Sequence, residues 1–372
     1  MHADPSVARN RILGPRSTFA LKLAGILGFM GLCVWLAFPT REAFVKAASG
    51  MRELRGVFVL LFFPTALLMH VLRAWRWDFL LRPLGAHIPF GRMLVISSIG
   101  FMAILALPVR LGEFVRPYLV AEKGRLRMSA ALGSVAVERT VDGLLVSLYI
   151  FVSFLFVEGP YAREASLAAW ASLGLFGLAT AFIAAGVKWP DGMLRWLMRL
   201  SLMHRIAPSL ASRVEHVARG VIEGFRSMKD LRNFGAFVLV SAAYWAANGL
   251  GMWVLARGFN LGLSLDGAFA TMALIAAAIT LPNTPGLVGQ FHAAGKFALL
   301  LYLPASVVES GGMACVVTAH ALQTLWYVGA GLLSMLVASV PLLGVVRASR
   351  SAVEGEERNP DAGNIRSCTS AR

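Results

Sequence analysis

The sequence predicts an all-α polytopic membrane protein with about six full spans and two re-entrant broken-helix hairpins, arranged as an inverted repeat. Hydrophobic residues make up 57% of the 372 residues and charged residues only 15%, against about 25% charged in soluble domains. Several apolar runs approach or exceed the roughly 20 residues that cross a bilayer as a helix. The alternating segments of about 10 residues that a transmembrane β-barrel requires do not occur.

The formal net charge of +15 is explained by membrane topology. Basic residues fall in the connections between apolar runs, as the positive-inside rule predicts, and not on one soluble face as in a nucleic-acid-binding protein. We therefore expect no nucleic-acid partner. The spacing of Cys33, Cys315 and Cys368 predicts neither a disulfide framework nor a zinc site. No metal or cofactor is expected, since no metal-ligand spacing, nucleotide loop or nucleophile motif occurs.

The first half of the chain is predicted to form two spans and a broken hairpin. Residues 1–18 are a cytoplasmic segment before an uncleaved span at 19–38, whose end lacks a small-residue cleavage site. A polar connection at 39–55 leads to a second span, 56–72. Residues 93–128 are predicted to be a re-entrant hairpin, because the apolar part is short and basic residues flank both its ends; such breaks are tolerated where they are buried or line water.

An aromatic and basic segment follows the second span, comprising Arg73, Trp75, Arg76 and Trp77. Tryptophan and arginine are enriched at membrane–water interfaces. We interpret this segment as a membrane-boundary belt.

The rest of the chain continues the pattern of spans. Apolar runs predict spans at 129–157, 167–187, 234–256 and 313–343, and a second broken hairpin at 268–303. The connection at 188–232 is basic with interspersed apolar residues, which predicts amphipathic cytoplasmic helices. The domain as a whole is predicted to cover 19–343, and the polar tail, 344–372, is predicted to be cytoplasmic and disordered.

The charge bias predicts that both termini are cytoplasmic, in an inner or plasma membrane. The connections 158–166, 257–267 and 304–312 would then be external, whereas the four bases of the 39–55 connection do not follow the rule. In this topology the two hairpin units are inverted copies, with Leu-Pro-x-x-x-Gly at Leu107–Gly112 and at Leu281–Gly286. Interrupted segments at matching positions of inverted halves indicate a transporter's binding site.

The first hairpin and the span after it hold the candidate head-group residues. Arg110 and Arg116 flank the hinge at Pro108 and Gly112, and guanidinium groups match phosphate oxygens; Glu113 would be their counter-ion. Glu138 and Asp142 share a helix face, with Arg139 close by. Two interpretations of these three residues stay open, namely an ion-pair cluster that fixes the span to the hairpin, and a site for a charged head group or a proton-coupled step.

The second hairpin is predicted to bend at Pro282 and Pro285, and Gly286 and Gly289 would permit close backbone approach. Helix N-termini at such breaks present free N–H groups to an anion. His292 and Lys296 lie one helical turn apart on the returning arm. They are candidate head-group ligands, although a packed histidine and a snorkelling lysine are equally consistent with the sequence.

Three blocks in order resemble a known family: PVRLGEFVRPYLV (108–120), SVAVERTVDGLL (134–145) and LPNTPGLVGQFHAAG (281–295). They are similar to the flippase-like transmembrane domain of lysylphosphatidylglycerol synthases and its stand-alone relatives. The resemblance covers most of 19–343, and the family often has Glu where this chain has His292. The matching polar and glycine positions are Gly112, Glu113, Arg116, Glu138, Arg139, Asp142, Pro285, Gly286 and Gly289.

The resemblance implies an integral membrane protein that moves or handles lipids, in some members an aminoacylated phospholipid. We expect a stand-alone member without the soluble aminoacyl-transferase domain, because only about 29 residues follow the last span. The leading hypothesis is a lipid translocase that passes an anionic or zwitterionic head group between the two hairpins. The alternatives are a membrane-embedded transferase or accessory subunit acting on a polyprenyl- or glycerophospho-lipid, and a scaffold for a partner enzyme of lipid modification.

Overall fold

The computed structural model describes residues 28, 31–106, 112–154, 162–201, 222, 224–280 and 284–338, and these are helices joined by short connections. Among these described residues, three helices are long and apolar enough to cross a membrane: Gly56–Leu84, Leu231–Gly258 and Ala305–Ala338. A bent pair, Leu173–Lys188 with Pro190–Trp196 at 118°, could form a fourth span. The polytopic helical class is confirmed, and the total of six spans stays a prediction.

We number the helices in chain order. They are α1 (31–37), α2 (Arg41–Gly50), α3 (Gly56–Leu81), α4 (Phe90–Ala106), α5 (Gly112–Gly124), α6 (Met128–Phe154), α7 (Ala162–Lys188), α8 (Pro190–Ser201), α9 (Leu231–Gly258), α10 (Leu265–Thr280), α11 (Gln290–Leu300) and α12 (Met313–Ala338). A short helix, Ala305–Val307, and a π-helical turn, Val308–Gly312, run directly into α12.

The connection at 39–55 is helical, which differs from the predicted polar connection. Thr40 caps α2, its hydroxyl accepting from the backbone N–H of Ala43 at 3.1 Å, as is usual for an N-cap threonine. Lys46 in α2 pairs with Glu42 and with Glu309 of the π-helical turn. Lys46 therefore connects this surface helix to the turn that precedes α12.

The interpretation of Arg73 to Trp77 as a membrane-boundary belt is wrong for Arg76 and Trp77. Helix α3 does not end near Leu72 but continues to Leu81. Arg76 and Trp77 are fully buried inside the protein, and Trp75 alone of the four is exposed at its surface. The burial of Arg76 has a physical reason, because two carboxylates of α6 pair with it.

Two units with matching contacts make up most of the described fold. The first is α3–α6 and the second is α9–α12, and α3 and α9 pack against each other along the centre. Helix α4 packs on α5 as α10 packs on α11, and α4 contacts α12 as α10 contacts α6. If each helix of one unit is exchanged for its counterpart in the other, the pattern of contacts therefore stays the same. Their opposite orientation in a membrane stays a prediction.

Each unit contains one short apolar helix that is followed by a helix packed back against it. Helix α4 has 17 residues and α10 has 16, so they are about 24–26 Å long, less than the roughly 30 Å hydrocarbon core. These lengths suit broken hairpins. The bends at 107–111 and 281–283, with Pro108, Arg110 and Pro282, lie outside the described residues, as do 1–18 and 344–372.

The predicted amphipathic connection at 188–232 is described only in part. Its first segment, α8, follows the 118° bend and buries Met193 and Leu194 while exposing Trp196. Helix α8 therefore packs one apolar face against the protein and exposes one aromatic side chain on its other side. Large apolar side chains are also exposed on the long helices, for example Leu178, Leu239 and Leu336, as expected where a helix faces lipid.

Candidate functional site

A buried ion-pair cluster joins α3, α5 and α6 at the centre of the first unit. Glu138 lies between two arginines: Arg76 Nη2 is 2.9 Å from its Oε1, and Arg116 Nη2 is 3.3 Å from its Oε2. The exposed fractions of Arg76 and Glu138 are 0%, and that of Arg116 is 2%. Burying such charges is tolerated only when each has partners. The cluster is thus a structural centre of the unit.

Asp142 extends the cluster to the second unit. Arg76 donates to both of its carboxylate oxygens, with Nη2 at 2.8 Å from Oδ2. The indole Nε1–H of Trp245 in α9 donates to Oδ1 at 2.9 Å. Arg76 also donates to the hydroxyl of Ser241 in α9 at 3.3 Å. A single carboxylate and a single guanidinium therefore connect α3, α6 and α9.

Aromatic rings complete the surroundings of Arg116. Its guanidinium carbon is 4.3 Å from the ring centre of Trp77 and 4.5 Å from that of Phe101, distances typical of cation–π contacts. A Cβ added to Gly100 would overlap the Arg116 side chain. The glycine therefore leaves the space through which this side chain reaches Glu138.

A cavity of about 330 Å³ lies between the two units and has a mixed lining. Its charged lining residues are Arg73, Glu113, Arg139 and Asp142, and Tyr244, Asn248, His320, Gln323 and Tyr327 add polar groups. Helix α10 contributes an apolar wall that includes Met272, Ile275 and Ile279. The cavity thus combines a charged region from the first unit with an apolar wall from the second.

Two arginines of the cavity differ from those of the cluster. Arg73 lies over the ring of Phe101, 3.6 Å from its centre, and its Nη1 is 3.4 Å from the hydroxyl of Tyr327. Within the described residues, neither Arg73 nor Arg139 forms an ion pair. The cavity therefore contains two cations whose charge no described carboxylate contacts directly.

The second hairpin is organised by neutral hydrogen bonds at its bend. Gln290 Nε2 donates to the carbonyl of Ala278 at 2.7 Å, and its Oε1 accepts from the N–H of Thr284. Gly286 and Gly289 have φ of 61° and 82°, the left-handed region that favours glycine. A Cβ on Gly289 would also come within 2.8 Å of the backbone nitrogen of Val34.

His292 and Lys296 are not among the residues that line the charged cavity. His292 packs against Phe38, Phe291 and His320, and its Nδ1 accepts from the N–H of Gly289 at 3.3 Å. Lys296 donates to the carbonyl of Ala37 at 3.2 Å. His320, whose ring bonds the Gly286 carbonyl at 2.9 Å, lines the cavity instead.

The structure therefore divides the predicted site residues. It brings Glu113, Arg139 and Asp142 into one cavity, places Arg116 and Glu138 behind it, and leaves His292 and Lys296 near α1. Sequence reasoning missed Arg73 and Arg76. Their spacing of three residues puts them on one helix face, and no proline occurs between Pro64, inside α3, and Pro83, so the signal was present.

The fold and site define a polytopic helical membrane protein with a charged cavity between two matching units. The chain matches the family described as the lysylphosphatidylglycerol synthase TM region over residues 19–331, and it belongs to that family.

A curated relative named "Glycosyltransferase AglD", from Haloferax volcanii, is 26% identical over 321 residues. The match covers 78% of this chain and 50% of the relative, so the chain spans about half the relative's length. No solved structure matches the chain.

Proposed function

We propose that this protein is a lipid translocase of the inner or plasma membrane, with both termini in the cytoplasm. The observation that supports it best is the cavity between the two units, which combines an apolar wall with two arginines that form no ion pair with a described carboxylate. A lipid needs both surfaces, since its head group carries phosphate or other charge and its chains are apolar. Membership of the family supports a function connected with membrane lipids.

The ion pairs of the cluster argue against Arg116 as a ligand of the head-group phosphate. Glu138 and Asp142 already pair with Arg76 and Arg116, and separating them would leave buried charges, which is costly. Arg73 and Arg139 line the cavity, and no carboxylate in the part of the chain that the structure describes pairs with either. We assign the head-group phosphate to these two residues, and Glu113, which also lines the cavity, to a cationic part of a zwitterionic head group.

Movement of the lipid would follow from the arrangement of two units around a central helix pair. The first unit supplies the charged lining and the second supplies α10. Rocking of one unit against the other about α3 and α9 would open the cavity to each side in turn, as in transporters built from repeats. The ion-pair cluster would keep the first unit rigid during this motion.

A lipid-scrambling assay in proteoliposomes tests the proposal. A fluorescent phospholipid is followed from one leaflet to the other in vesicles carrying wild type, Arg73→Gln or Arg139→Gln. We expect each substitution to lower the rate at least tenfold while the protein elutes as a folded species. The matched control is Arg257→Gln, an exposed arginine outside the cavity, which should leave the rate unchanged. Equal rates in all four proteins would reject the assigned ligands.

A membrane-embedded transferase or accessory subunit is the second candidate, because the curated relative is named a glycosyltransferase. Its activity could belong to the half that this chain does not match. Glu138 is an unsuitable general base, since two arginines hold it inside the protein. Asp142 is likewise held by Arg76 and Trp245, so Glu113, which lines the cavity, is the alternative. Consumption of a lipid-linked sugar donor by purified protein, abolished by Glu113→Gln, would favour this candidate over translocation.

A further inference from the structure

A second concave surface lies on the outer side of α6. This groove has a volume of about 280 Å³ and lies between α6, α7 and α9. Apart from Thr140 and Thr180 its lining is apolar, and both threonine hydroxyls donate to carbonyls within their own helices. The groove therefore offers no free hydrogen-bonding group and suits a hydrocarbon chain.

Helix α6 separates the groove from the charged cavity. Val137, Val141, Leu144 and Leu148 line the groove, whereas Arg139, Asp142, Gly143 and Val146 line the cavity. Successive helical residues are about 100° apart, which puts the two sets on opposite faces. Leu148 is 48% exposed, so the groove opens outward. It is therefore a different site from the one assigned to translocation.

The length of the groove matches one leaflet of a membrane. Val137 and Leu148, at its two ends on α6, are about 16 Å apart along the helix at 1.5 Å per residue. The hydrocarbon core of a bilayer is about 30 Å thick. The groove is thus about as long as one leaflet is thick.

Basic residues lie beside one end of the groove. Its lining residues Met228 and Phe234 adjoin the start of α9. Lys188, Lys229 and Arg232 are exposed at this end, where α7 stops and α9 begins. The carboxylate in the same segment, Asp230, is already used as a cap and accepts from Asn233. The charge at this end therefore favours an anionic head group.

We propose that the groove holds one anionic phospholipid of the adjacent leaflet, with an acyl chain along α6 and its phosphate near Lys229 and Arg232. The site is independent of the proposed function, because its residues do not line the charged cavity. Occupancy would stabilise the junction of α6, α7 and α9, which otherwise lacks packing atoms along the groove.

Native mass spectrometry of protein extracted from vesicles of phosphatidylglycerol and phosphatidylcholine tests this proposal. We expect wild type to retain one phosphatidylglycerol through detergent exchange, and Val238→Trp, which fills the groove, to lose it. Thr180→Trp fills the same groove from α7 and serves if Val238→Trp does not fold. The matched control is Leu239→Trp, at an adjacent position that is 74% exposed and is not part of the groove, and it should retain the lipid.

The double variant Lys229→Gln, Arg232→Gln tests the head-group contact. It should retain phosphatidylglycerol and phosphatidylcholine equally, whereas wild type should prefer phosphatidylglycerol. Retention that is unchanged in both tryptophan variants would overturn the proposal. So would equal loss in Leu239→Trp, which would indicate bulk lipid. A dimer that dissociates in Val238→Trp would show that the occupant is a second copy of the chain.

Discussion

The two units have matching helices but are held together by different interactions. In the first unit, charged side chains connect separate helices, with Arg76 of α3 and Arg116 of α5 converging on Glu138 of α6. In the second unit, Gln290 joins two parts of the same hairpin through neutral bonds to backbone groups. Among the described residues of α9–α12, no ion pair joins one helix to another.

This difference predicts how each unit responds to the loss of one group. A buried charge that loses its partner costs about 3–5 kcal/mol, because the remaining ion has been removed from water. A buried neutral group that loses its hydrogen bond costs about 1–3 kcal/mol. The first unit should therefore be the more sensitive to single substitutions, and the second should tolerate them better.

The largest effect is expected for Glu138→Gln. The substitution leaves Arg116 without a carboxylate and should lower the free energy of unfolding by about 3–5 kcal/mol, measured by equilibrium unfolding in mixed micelles. Adding Arg116→Met should recover part of the loss, since Arg76 keeps Asp142. The control is Glu122→Gln, which breaks the exposed pair with Lys123 and should cost less than about 1 kcal/mol. Equal stabilities for Glu138→Gln and the control would remove the distinction between the units.

A smaller loss is expected for Gly289→Ala in the second unit. The residue would be held in the left-handed region and its Cβ would press on the backbone of Val34, together costing about 2–4 kcal/mol. Gly286→Ala shares the positive φ, but its Cβ meets only Val288 Cγ2 at 3.7 Å. It should therefore cost about half as much in the same unfolding experiment. A larger loss for Gly286→Ala would show that contact with α1 does not restrict this bend.

Gln290→Ala should cost about 1–3 kcal/mol, because it leaves the carbonyl of Ala278 and the N–H of Thr284 without this partner. Gln290→Met keeps most of the side-chain volume but none of the hydrogen bonds. Thermal unfolding of both variants separates the two contributions. Full recovery of stability in Gln290→Met would mean that packing, not hydrogen bonding, holds the second hairpin.

The smallest effect concerns the cap of α9. Hydrogen bonds from the backbone and side chain of Asn233 hold the pKa of Asp230 below its ordinary value of 3.8. A lowered folded-state pKa contributes stability above pH 4 that is lost as the pH falls further. Asp230→Asn retains a capping acceptor but has no carboxylate to titrate. Its melting temperature, measured between pH 3 and 6, should therefore fall less than that of wild type at the acidic end. If Asp230→Asn has the same profile as wild type, Asp230 does not contribute to the acid dependence of stability.

Much of the fold was predictable because its signals are local. The lengths of apolar runs predict the short helices α4 and α10, and the family blocks contain Glu113, Arg139 and Asp142, which line the cavity. Pairing over long separations was not predictable. Arg76 precedes its partner Glu138 by 62 residues, and no spacing rule connects them, so the nearest explanation was a membrane-boundary belt.

The second hairpin shows what helical periodicity alone cannot predict. His292 and Lys296 do lie on one face of α11, as their spacing predicts. That face contacts Phe38 and Ala37 of the first segment, not the cavity. The periodicity of a helix identifies which residues share a face, but it does not identify the neighbour that the face will meet.

The cluster around Glu138 also bears on how the chain enters the membrane during synthesis. A charged residue such as Asp or Arg near the centre of a helix costs about 2.5–3.5 kcal/mol when the helix leaves the translocon for lipid, and α6 carries Glu138, Arg139 and Asp142. Helix α3 is synthesised first and brings Arg76, the partner of two of these charges. In the predicted topology α6 is a membrane span, so its insertion should depend on the presence of α3 beside the translocon. The order of the helices along the chain would then be part of the assembly mechanism.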